Sequence, residues 1–87
     1  MSAARPKVSE NLSKLLRSDL ERVIYESALH KDDALVATRI LVEHVPQIEI
    51  AAELGWERST VSRRFSATLP RIEEVALILY PMKNSQN

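Results

Sequence analysis

A single glycine, Gly55, is all that 87 residues offer for backbone conformations that other residue types resist. A strand-rich domain of this size needs glycine at its turns, and more aromatic side chains than one Trp, two Tyr and one Phe. Helices need neither. The chain therefore reads as all-α, with Gly55 standing where one helix must end. At 45% hydrophobic and 28% charged residues it has a globular balance, enough for one small domain.

Apolar residues recur at helical steps along the chain. Leu12, Leu15, Leu16, Leu20, Val23, Ile24, Ala28 and Leu29 predict one long amphipathic helix over 9–30, after a polar arm at 1–8. Asp32 or Asp33 is placed to cap a second helix, whose dense apolar set from Ala34 to Val45 makes it central. Pro46 suits the first turn of a third helix, Gln47 to Leu54, which Gly55 ends. A short fourth helix over 58–67 buries Val61 and Phe65. Leu69-Pro70 breaks it, Pro70 opens a fifth helix, and Pro81 ends that one before a polar tail at 81–87. The expected organisation is a helix at 9–31 and a helix-turn-helix domain at 32–80.

One constellation carries a mechanism. Two helices that cross steeply through a short turn need a small residue where their backbones meet, and Ala51 is there. Gly55 follows four residues later at the turn, and Val61 six residues after that as the apolar plug. Leu54 and Trp56 close the core beneath the turn. Facing outward are Arg58, Ser59, Thr60, Ser62 and Arg63. Arginine pairs with two guanine acceptors at once, hydroxyls serve phosphates or base edges, and a helix N-terminus attracts phosphate. The same spacing occurs in ordinary helical hairpins, so the basic outer face is what turns the pattern towards DNA.

Charge is distributed unevenly although the total is zero. Residues 1–31 sum to +2, residues 32–57 to −5 and residues 58–87 to +3. Neutrality overall argues against a non-specific polyanion binder, but leaves room for one basic face. With no cysteine there are no disulfides, thiolate metal sites or thiol nucleophiles. No run approaches the roughly 18–20 apolar residues of a membrane span, and no secretory leader is visible, so a cytoplasmic protein without membrane contact is expected. His30 and His44 lie on different helices and imply no metal site. Glu49, Glu53 and Glu57 recur every four residues as a solvated acidic ridge. Nothing pairs a nucleophile with a base, cradles a phosphate or holds a cofactor, so no enzyme activity is expected and no cofactor is implied.

The stretch Ser59-Thr60-Val61-Ser62-Arg63, the step Leu69-Pro70-Arg71 and the apolar helix after it resemble phage CII-type transcription activators. The likeness spans roughly residues 34–80, and its specific part is 47–71. It implies a lambda-repressor-like helix-turn-helix, with the second helix of the motif in the major groove of double-stranded DNA at a phage promoter. It also implies that Gln47 touches a phosphate while Ser59, Thr60, Ser62 and Arg63 face the groove. Arg64 stands where that family commonly has Trp, which leaves Phe65 the buried role and gives Arg64 a phosphate. Arg71 reads equally as a phosphate contact or as a solvated first-turn residue. The family's C-terminal oligomerisation helix has no counterpart here, so the N-terminal helix is expected to join copies into a dimer or tetramer. The acidic ridge would meet host RNA polymerase. A Cro-like repressor with the same motif and a helical protein–protein module are the alternatives.

Overall fold

The computed structural model describes residues 8–81. Within them the chain is all-α: α1 is Glu10–Ser13, α2 Arg17–Glu26, α3 Lys31–Ala37, α4 Gln47–Leu54 and α5 Arg58–Leu79. That is the expected count of five, divided differently. The arm at 1–8 and the tail at 81–87 lie, except for Val8 and Pro81, outside the described residues.

The helix expected over 9–30 is two helices. Ser9 caps α1, its Oγ accepting from the Leu12 amide at 3.3 Å. The chain then tightens, with the Leu15 amide bonded to the Leu12 carbonyl at 3.1 Å, and Leu16 is extended at φ −70°, ψ 161°. The break lets Leu12, 1% exposed, reach the core from a different direction than Leu20 and Val23. Burial overrides the helical periodicity, and no glycine or proline marks the place.

Ser27, fully buried, closes α2 by donating its hydroxyl to the Val23 carbonyl at 2.7 Å. His30 caps α3 in place of Asp32 or Asp33. Its Nδ1 accepts from the Asp32 amide at 3.2 Å, and both aspartates sit in the first turn, where the helix dipole favours them. α3 then widens without a break into a π-helical segment, Thr38–Val42, closed by the Glu43 amide on the Thr38 carbonyl at 3.1 Å. Pro46 stands just before α4 as its N-cap, one position earlier than expected.

α5 runs through Pro70. The expected break between 67 and 70 is absent because Val61, Phe65, Leu69, Ile72 and Ala76 form one buried stripe against the other helices. Pro70 and Ser66, whose carbonyl it leaves without its usual helical partner, both lie on the exposed side. Pro81 does follow the helix end, as expected.

Arg39 locks the end of the π segment to α4. It donates to Glu43 at 2.7 Å and to both Glu53 oxygens, at 3.1 and 2.9 Å. The guanidinium holds the Glu53 carboxyl below its ordinary range, and the two carboxylates raise Arg39 further above its own.

Candidate nucleic-acid interface

α4 and the first turns of α5 meet across Gly55-Trp56-Glu57. Gly55 has φ +72° and ψ 29°, the left-handed conformation, and the Trp56 amide returns to the Ala51 carbonyl at 2.9 Å. Ala51 is 4% exposed at the crossing. Ile50 and Val61 are fully buried, with Phe65 one turn beyond Val61. Trp56 is half-buried and packs on this core. The small residue, the glycine and the plug thus occupy the places their spacing implied.

α5 opens loosely. Glu57 is its N-cap but makes no side-chain capping bond, so only the Glu57 carbonyl is engaged, by the Thr60 and Val61 amides at 3.0 and 3.2 Å. The N-terminal amides of the helix remain available to an anion. Around them Arg58, Ser59 and Arg63 are exposed, and Thr60 and Ser62 are half-buried. Ser59, Ser62 and Arg63 share one face by their three- and four-residue steps. Ser66, also exposed, continues that face one turn further. It is not among the residues expected from sequence, although counting seven on from Ser59 finds it.

Two of the four arginines between 58 and 71 are engaged within the fold. Arg64 donates from Nε to Asp33 in the first turn of α3 at 3.0 Å. Its guanidinium carbon also lies 4.9 Å from the centre of the Trp56 ring. Arg71 donates from Nε to the Ser27 carbonyl at 2.9 Å, sealing the C-terminus of α2. Arg58 and Arg63 make no ion pair among the described residues.

Gln47 is the first residue of α4, half-buried, at the far end of that helix from the turn. Seven helical steps put it about 10 Å along the axis from Leu54. All three glutamates of the acidic ridge, Glu49, Glu53 and Glu57, are exposed, and Glu53 is also paired with Arg39. Among the described residues no cluster of metal-binding side chains forms, and no helix is long and apolar enough to cross a membrane. Compared with protein-family models, curated proteins and solved structures, the chain matches none.

Proposed function

We propose that this chain is a sequence-specific DNA-binding regulator that places the first two turns of α5 in the major groove. The observation that carries this reading is the pairing of a rigid underside with an unengaged outer face. Ala51, Val61 and Phe65 fix α5 against α4, while Arg58, Ser59 and Arg63 project into solvent. In this reading Arg63 reads a base edge, Ser59 and Thr60 assist, and Ser62 flanks them. Arg58 and Gln47 hold phosphates and set the register. Arg64 and Arg71 each spend Nε on a partner within the fold, Asp33 and the Ser27 carbonyl, and keep their terminal N–H groups for a phosphate.

The finer reading is a phage or prophage regulator, a CII-like activator in the host cytoplasm. It rests on the likeness of Ser59–Arg63 and Leu69-Pro70-Arg71. One short recognition helix reads only a few base pairs, so specific binding calls for two or more copies on half-sites about one helical turn, ~34 Å, apart.

Titrating a mixed-sequence duplex into isotopically labelled protein tests the placement. The amides of 58–63 and Gln47 should shift most. Affinity should fall with salt as each neutralised phosphate releases its counterions. Shifts centred on α2 or on the end of α5, or none at all, contradict it.

A further inference from the structure

A cleft of about 500 Å³ opens between the α1–α2 turn and the segment that leads into α4. Leu12 and Phe65, both buried, form its floor, and the half-buried Leu15, Ile40 and Val45 its walls. Its volume lies within the range of built small-molecule sites, roughly 300–1,000 Å³. One wall is held firmly. The Glu43 amide bonds to the Thr38 carbonyl at 3.1 Å and the Val45 amide to the Arg39 carbonyl at 2.8 Å. Arg39 is itself pinned by Glu43 and Glu53. His44, inside this stretch, has a left-handed φ of +57°, which a residue with a side chain keeps only where its surroundings demand it.

The polar side chains that line the cleft are few and of one kind. They are Ser13, Arg17, His44 and Gln47, with no acid among the described lining residues. Arg17 spends Nε on Glu21 at 3.3 Å and keeps its terminal N–H groups. Gln47 opens α4, and its N-cap, Pro46, brings no side-chain acceptor to the first-turn amides. An arginine fork and a carboxamide at an uncapped helix start both favour an anion, here at the edge of an apolar hole. We propose that the cleft binds a small monocarboxylate with an apolar tail, the tail against Leu12 and Phe65 and the carboxylate at the rim with Arg17.

Apolar walls with a few donors at one edge are the anatomy of a small-molecule site. An uncharged occupant would leave the rim donors unused, and a cation would face Arg17. Gln47 belongs both to this rim and to the DNA-binding reading, in which it holds a phosphate. Resting on that reading, the carboxylate and a duplex compete for Gln47, and each weakens the other by the same factor.

The test is a titration of octanoate, below its micelle concentration, into isotopically labelled full chain without DNA, beside 1-octanol and octylamine. Octanoate should saturate at one molecule per chain and shift the methyl signals of Leu15, Ile40 and Val45. Octanol and octylamine should bind at least about tenfold more weakly, having lost the charge-assisted hydrogen bond. Arg17→Gln should bring octanoate to about the octanol level. It should leave octanol binding and the helical circular dichroism unchanged, since the Arg17 side chain is 68% exposed. Shifts elsewhere, no binding, octanol binding as well as octanoate, or octanoate indifferent to Arg17→Gln each overturn the proposal. Methyl signals that move on dilution alone assign the cleft to a second copy, and overturn it too. Saturating octanoate should then weaken duplex binding by about fivefold, and an unchanged duplex affinity overturns the competition. A chain that binds octanoate but retains no duplex removes the DNA reading and leaves the cleft site standing. A chain that selects a duplex but binds no octanoate does the reverse.

Discussion

Arg64 on α5 donates to Asp33 on α3 at 3.0 Å while lying over the Trp56 ring, so this arginine ties α5 to α3 and to the turn that precedes it. Arg58 and Arg63 on the same helix have no such partner among the described residues. Three arginines within seven positions therefore divide into one engaged within the fold and two with no ion pair among the described residues.

Arg64→Ala should lower stability by about 1 kcal/mol, given the partial exposure of the pair and the added cation–π contact. In a domain of this size that is a fall in Tm of roughly 4–8 °C. Arg58→Ala should leave Tm unchanged and weaken duplex binding. Thermal unfolding of both variants, beside a duplex titration, checks the division. The reverse pattern would assign the two roles wrongly.

Pro70→Ala distinguishes a continuous α5 from two helices. Proline inside a helix costs about 3 kcal/mol against alanine, part of it recovered through the stiffer unfolded chain. Replacement within an unbroken helix should stabilise the protein by about 1–2 kcal/mol in denaturant unfolding. A destabilised variant would mean that Pro70 starts a helix of its own.

Gly55→Ala should cost about 1–2 kcal/mol, all of it from the left-handed backbone, because an added Cβ meets nothing within 4 Å. Gly55→Asn should cost less, since asparagine tolerates that conformation better. Equal losses for the two variants would point to a steric origin instead.

The Arg39–Glu53 pair sets an acid limb. The folded-state Glu53 value is lowered from 4.5, so its contribution is complete above that value and is lost as pH falls through the lower folded value. Stability should therefore decline below about pH 4.5 in the native chain. Glu53→Gln should show a shallower decline over the same range. Parallel pH profiles would leave the pair without a role in acid sensitivity.

What could be read before any coordinates was local. Ala51, Gly55 and Val61 are tied to one another by short spacings, and the structure places all three in the expected roles. The turn after Ser13 carries no punctuating residue. It arises because Leu12 and Leu20 approach the core from different directions, and that depends on α5. Pro70 is the converse case, a strong local breaker overruled by the buried stripe on both sides of it. Arg64 reads from sequence as a phosphate contact because its partner Asp33 lies 31 residues away, beyond any local pattern. His30 replaced the aspartates as a cap because its ring nitrogen can accept as their carboxylates do. Ser59, Ser62 and Arg63 were legible as a face, whereas the cleft between the α1–α2 turn and the approach to α4 has walls from distant segments and left no trace in the sequence.

Selection of bound fragments from a random duplex pool, with Arg63→Ala run in parallel, tests whether the first turns of α5 read bases. A base-reading α5 should enrich a short motif, repeated at about one helical turn, that the variant no longer selects. Retention without enrichment that collapses as salt rises, or equal enrichment by the variant, would contradict it.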